Sequence, residues 1–279
     1  MSRNRNWFAG LGGAAAVAAV ALLAASFGAT GCQKLRARDS LNKGVQAYKS
    51  AKYPEAVEHF KVAVDLDPTF PTARLYLATA YMSQYIPGAE SPENLRMAKA
   101  AFDEFSKVLD QNAKDPIALA SIASLHFHQK KLEDAEGWYK KLVDADPKNK
   151  EGLYTLGVIA WTKTFQKRME ARAKMGMKPE DPGPLKDKKV REEVKGLNMP
   201  VIEEGLKNLQ LALDIDKEYD DAMAYMNLLT RERADLRDTA DDYRKDTEEA
   251  DSWVQKTLET KKIKASRSPS VGGITAEAK

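Results

Sequence analysis

Three histidines and one cysteine are the side chains in these 279 residues best suited to ligate a metal or to serve as nucleophile and base. His126 and His128 lie two apart in a stretch that reads as helix. At 3.6 residues per turn, such side chains point about 200° away from each other and cannot share a metal. His59 stands alone beside Phe60. Asp241-Asp242 and Glu248-Glu249 fall in a strongly charged helical stretch, where neighbouring acids form a solvated face. The chain carries no His/Glu zinc helix, phosphate-cradling glycine loop or nucleophile elbow, and "GLGGAAA" lies in an apolar leader. These residues assign no catalytic group, no metal and no cofactor. The expectation is a protein that is not an enzyme.

Charge narrows the partners. Lys and Arg number 44 against 41 Asp and Glu, a formal charge of +3 that drops to +1 once residues 1–31 are set aside. So even a balance argues against a nucleic-acid binder built on bulk charge. A single cysteine makes neither an internal disulfide nor a cysteine-based zinc site, so stability must come from packed helices.

Cys32 sits in "ATGCQK", where an apolar run from Trp7 to Gly31 ends. The run follows a short segment carrying Arg3 and Arg5. Basic start, apolar middle and small residues at the end are the order of a secretory signal. The run is also long enough to cross a bilayer of about 30 Å, so an uncleaved anchor helix stands as the other reading. "ATGC" resembles the lipobox of bacterial lipoproteins, although Ala29 stands where leucine is commoner. That resemblance implies a signal peptide over 1–31, a diacylglyceryl group on the Cys32 thiol, and a lipidated linker over 32–36. By the sorting habit of enteric bacteria, Gln33 implies the outer membrane, facing the periplasm. Either anchor puts the body of the chain outside the cytoplasm.

The elements that must position any site are set by a repeat. Small residues recur at Gly44, Ala78, Ala123 and Gly157, and again at Ala56, Ala101, Ala135 and Gly205. A 34-residue unit with two insertions accounts for both series. "AYKSAKYPEAVEHFKVAVDLDP" (47–68) and "HQKKLEDAEGWYKKLVDADP" (128–147) each carry an alanine, an aromatic four residues on (Phe60, Tyr139), and a closing Asp-Pro. With looser copies at 102–116 and 205–216, they resemble the tetratricopeptide repeat family, over roughly residues 37–235. Apolar residues at i, i+3, i+4 and i+7 independently mark amphipathic helices, and no alternating strand pattern occurs. Two helices approach closely only where a side chain is tiny, and a lone hairpin cannot bury its own face.

The expected fold is all-α, a right-handed solenoid of helical hairpins over 37–262, preceded by the signal or anchor helix. Its repeats span about 37–70, 71–115, 116–149 and 150–219, with insertions at 84–94 and about 165–200. A partial repeat and capping helix occupy 220–262, and 263–279 reads as a disordered tail. In the first insertion, Pro87-Gly88 reads as a tight turn and Ser91-Pro92 as an N-cap and first-turn proline. In the second, Gly176 reads as a helix stop, Pro179, Pro182 and Pro184 interrupt the helix, and a short charged helix follows before Asn198 and Pro200. That segment is expected to project from the edge of the array.

In the family, the first helix of each repeat lines a concave groove. This resemblance places Tyr48, Met82, Phe127 and Trp161 on one stripe, with His128 beside Phe127 and Tyr154 about two turns before Trp161. Aromatics and methionine there serve either as interface anchors or as packing. The basic clamp that some members use for acidic tails is missing, since Leu41, Leu75, Ala120 and Tyr154 hold its positions. Function is accordingly read as a non-catalytic scaffold, a lipid-anchored repeat protein assisting assembly of a bacterial envelope complex. Its partners would be other envelope proteins or peptides, and the membrane through Cys32, with no nucleic acid. The alternative is a lipoprotein that holds a small apolar or cell-wall-derived molecule in the groove.

Overall fold

The computed structural model describes residues 31–267, so the apolar leader and the last twelve residues lie outside it. All regular structure among the described residues is α-helical. The helices follow as α1 (31–49), α2 (Tyr53–Leu66), α3 (Pro71–Met82), α4 (Pro92–Gln111), α5 (Pro116–His128), α6 (Leu132–Ala145), α7 (Lys150–Lys174), α8 (Lys188–Ile215), α9 (Asp220–Asp235) and α10 (Ala240–Arg267). They divide into two compact units, the first ending at Ala118 and the second beginning at Leu119.

Helix pairing rests on the small residues. In the first unit a Cβ at Gly44 would sit 2.5 Å from Phe60 Cδ1, so the fully buried Phe60 ring occupies the space a side chain would need. The same ring stacks on Tyr76 of α3, centroids 5.5 Å apart. In the second unit a Cβ at the equivalent Gly157 of α7 would sit 2.5 Å from Leu209 Cδ2 of α8. A Cβ at Gly205 would press on Ala160 at 2.6 Å and on Leu229 of α9 at 2.8 Å. Close packing at these points builds the cores around Phe60 and Leu77 and around Leu153, Leu209 and Leu229.

The turns repeat as well. Between paired helices, Lys52 N donates to Ala47 O and Lys131 N to His126 O, both at 3.0 Å. The residue before each donor takes a left-handed conformation, Ala51 at φ 57° and Lys130 at φ 59°. Gly176 (φ 64°) ends α7 in the same way and without the Cβ penalty. Between successive hairpins, Asp67, Asn112, Asp146 and Asp216 each accept from the backbone N–H two residues on, at 3.0–3.3 Å. Pro68 and Pro147 therefore sit inside these turns, and α3 starts at Pro71.

The first insertion is short and tied down by one side chain. Ser91 caps α4, accepting from Asn94 N at 3.2 Å, and Gly88 turns with φ 80°. Asn94, 6% exposed, accepts from Ile86 N at 2.6 Å and donates to Ile86 O and Ala89 O at 2.8 and 2.7 Å.

The second insertion does not project. Residues 175–187 fold back on the ends of α7 and α9: Leu185 is fully buried, and its N–H donates to Asp235 O at 2.9 Å. The expected short charged helix is instead the first half of one 28-residue helix, α8, running through Pro200. Pro200 is exposed, so water can take the carbonyl that the ring leaves unbonded. Asn198, expected to break the pattern, is buried and donates to Thr164 O at 3.1 Å, fastening α8 to α7. Two further boundaries differ. Residues 32–36, read as linker, belong to α1, and α10 continues to Arg267, past the expected 262. Lys264 pairs with Asp220, and Arg267 with Glu218 at 2.7 Å, which holds that last turn against the start of α9.

Candidate functional site

On α7, Tyr154, Trp161 and Phe165 are spaced i, i+7, i+11 and share a face. Tyr225 of α9 and Tyr219, which caps α9, come alongside because the glycine contacts bring α7, α8 and α9 together. The five rings form a continuous series. Phe165 lies 4.9 Å from Trp161, Trp161 5.8 Å from Tyr225, Tyr225 5.6 Å from Tyr154, and Tyr154 5.2 Å from Tyr219. Both contacts of Tyr225 are edge-to-face, near 81°. Every one of the five is half-buried, and Tyr154, Trp161, Tyr219 and Tyr225 are seated on the core.

The tyrosine end of this ladder is acidic. Burial, with Tyr225 and the Asp221 carboxylate adding to it, pushes the Tyr154 phenol up to about 12. Burial likewise raises Tyr219, helped by Glu151, Tyr154 and Asp221, and raises Tyr225, helped by Asp221. Lys150 stands 5.1 Å from the centre of the Tyr219 ring and pairs with Asp216 at 2.7 Å.

The other residues expected in the groove are placed as follows. Tyr48 lies in the first unit, its hydroxyl 2.8 Å from that of Ser83 and its ring 5.2 Å from Tyr53. Half-buried Met82, next to Ser83, ends α3. In the second unit Phe127 is half-buried and has exposed His128 as its ring neighbour among the described residues, at 6.1 Å. Trp161 and Tyr154 are the two that the structure brings into one ring series. Phe165, Tyr219 and Tyr225 were missed. The spacing from Trp161 to Phe165 was a legible helical signal, whereas Tyr219 and Tyr225 join only through the packing of α9. Cys32 is exposed at the start of the described chain.

A second concentration of ionisable groups is buried. Arg172, 2% exposed, donates through Nη1 to both oxygens of Asp235 at 2.8 and 2.7 Å and through Nη2 to the carbonyls of Lys178 (2.9 Å) and Asp181. Arg168 reaches Asp235 at 2.7 Å and Glu232 at 2.9 Å. Glu232 is 1% exposed, its Oε2 has no hydrogen-bond partner among the described residues, and burial pushes its carboxyl up to about 7 against the pull of Arg168. Arg172, Asp235 and Glu232 are closed to solvent and Arg168 only slightly open, and Arg172 and Asp235 hold the proline-rich loop. Gly183 lets that loop pass, since a Cβ there would meet Asp235 and, at 2.6 Å, Tyr243. No group of three or more His, Cys, Asp or Glu converges into a metal site among the described residues.

Comparison with known proteins agrees with this architecture. The tetratricopeptide repeat family model matches residues 93–150, from the first turn of α4 to the start of α7. Among solved structures, a crystal structure of MamA protein is similar at 13% identity with a TM-score of 0.56, covering 85% of this chain and 98% of that one. MamA from residue 41 to its end, of Desulfovibrio magneticus RS-1, is similar at 15% identity with a TM-score of 0.54, over 82% of this chain and 96% of that one. At such identities the likeness is one of fold. No curated protein sequence matches the chain.

Proposed function

We propose that this array of tetratricopeptide-type hairpins is a non-catalytic scaffold that docks proteins or peptides on the aromatic face of α7 and α9. One observation carries the reading: five contiguous rings, from Phe165 to Tyr219, sit half-open on the first helices of successive hairpins. Rigid aromatics backed by a core add little ordering entropy on binding and are the residue types that dominate interface hot spots. A small ligand enclosed by the same rings is the weaker reading. The cleft that α7 and α8 form, of about 260 Å³, is lined by Ala171, Val190, Val194 and Leu197 with Lys167, Glu170, Lys174 and Glu193 around them, and includes none of the five rings.

The scaffold would work at a bacterial envelope, tethered through an acylated Cys32 to the outer membrane and facing the periplasm. The lipobox-like "ATGC" and the exposure of Cys32 support this tether. No described helix is long and apolar enough to cross a membrane. The docking reading is tested by affinity capture from detergent-solubilised membranes with the Trp161→Ala, Tyr225→Ala double variant, its helicity checked by circular dichroism. Partners retained at wild-type levels by the folded variant would refute it. For the tether, Cys32→Ser should abolish metabolic acyl labelling, and label persisting in that variant would refute acylation.

A further inference from the structure

The charges around the tyrosine end of the ladder do not balance. Asp216 is paired with Lys150 at 2.7 Å, Glu218 with Arg267 at 2.7 Å, and Asp220 with Lys264 and, at 3.9 Å, Lys261. Asp221 and Glu151, both exposed, carry no ion pair among the described residues, which leaves one acid more than there are bases in this group of nine. Asp221 stands four residues before Tyr225 on α9 and Glu151 three before Tyr154 on α7, so each carboxylate shares a helix face with a ring of the ladder, and Lys264 and Lys150 act on them only from beyond ion-pair distance. The Tyr154 and Tyr225 rings meet at 81°, so their faces define a corner. Aromatic faces are electron-rich and attract cations. Lys150 already shows this locally, since its ammonium, held by Asp216, rests 5.1 Å from the Tyr219 ring. Neither Tyr154 nor Tyr225 has such an internal cation among the described residues.

We propose that Tyr154, Tyr225 and Asp221 form a cation-recognition corner that takes an arginine or lysine side chain from a basic segment of the docked protein. The inference rests on the docking reading above and adds the chemistry of the partner. Two open carboxylates repel an acidic segment and leave a neutral one without a counterpart. Arginine fits better than lysine, because a planar guanidinium stacks on a ring while donating a forked pair of hydrogen bonds to one carboxylate.

The test uses the full chain in detergent at low salt, with fluorescein-labelled pentapeptides of sequence Gly-X-Gly-X-Gly in which X is Arg, Lys, Gln or Glu. Anisotropy titration should give the order Arg, then Lys, with Gln and Glu at least about tenfold weaker than Arg. Asp221→Asn should weaken the Arg peptide by about three- to tenfold, and Tyr225→Leu by about tenfold, whereas Tyr225→Phe, which keeps the ring face, should stay within about twofold. Asp144→Asn, which removes an exposed acid of α6, should leave it unchanged. Equal binding of the Gln or Glu peptide, or wild-type affinity in both Asp221→Asn and Tyr225→Leu, would overturn the proposal. The two readings fail separately. If capture of the natural partner depends on Trp161 while the Arg peptide does not bind, the cation corner falls and the docking face stands. If the Arg peptide binds as described while capture ignores Trp161, the reverse holds.

Discussion

Removing Asp235 should cost more than removing any other single side chain of the buried charge cluster. Its two oxygens serve Arg172 at 2.8 and 2.7 Å and Arg168 at 2.7 Å, while its backbone carbonyl accepts from Leu185 N. Both Arg172 and Asp235 are 2% exposed. Asp235→Ala therefore leaves Arg172 buried with two carbonyls and no carboxylate of its own. Deleting one partner of a buried ion pair destabilises by about 3–5 kcal/mol, mostly because the surviving charge stays desolvated. For a unit of about 160 residues, each kcal/mol moves the melting point by about 2–4 °C, so a drop of about 6–20 °C is expected. Asp235→Asn keeps one acceptor oxygen and should lose about 1–3 kcal/mol. Circular-dichroism melts give the stabilities, and amide hydrogen exchange at residues 175–187 shows whether the loop is released with them. A loss below about 1 kcal/mol for Asp235→Ala, or an Asn variant less stable than the Ala variant, would refute the reasoning. So would loop amides that keep their protection while the melting point falls.

Three further outcomes follow from other parts of the molecule. Gly44→Ala should lose about 1–3 kcal/mol in urea unfolding because Phe60 fills the Cβ position, while Gly137→Ala, on an exposed turn of α6 with nothing within 4 Å, should gain about 0.5–1 kcal/mol. Lys130→Gly should gain up to about 1 kcal/mol by relieving a left-handed non-glycine residue, and a loss would show that the turn geometry is misread. Glu232 sets a pH dependence of definite sign. Its folded pKa of about 7 lies above the ordinary 4.5, so between those values the folded chain keeps a proton that the unfolded chain releases. Stability should fall as pH rises through that window, by about 3 kcal/mol from this group, and Glu232→Gln should flatten the fall. Parallel profiles for the two proteins would contradict the assignment.

Local geometry was legible in the sequence wherever one short-range rule governed it. Gly44 and Ala56, with Phe60 four residues on, encode a helix crossing, and the ring does fill the glycine's empty side. Asp67, Asp146 and Asp216 close the same turn three times because a carboxylate two residues before an N–H can hold it, and Asn112 does likewise. What escaped notice depends on partners far along the chain. Arg172 and Asp235 are 63 residues apart, and hydropathy reads both as surface. Asn94 looks like an ordinary first-turn residue until its amide is seen to hold Ile86 and Ala89. Pro200 argues locally against a continuous helix, but burial of Ile202, Leu206 and Leu209 outweighs it. The aromatic ladder was half legible for the same reason: Tyr154 and Trp161 follow a helical period, whereas Tyr219 and Tyr225 arrive from another helix.

Site-specific photo-crosslinking in living cells tests the central claim most directly. A photoreactive residue at exposed Thr162, next to Trp161, is compared with one at exposed Leu211 on α8. A docking face on α7 and α9 requires a discrete protein adduct at 162 that vanishes with Tyr225→Ala and is absent at 211. No adduct at 162, or the same adduct from both positions, would contradict it.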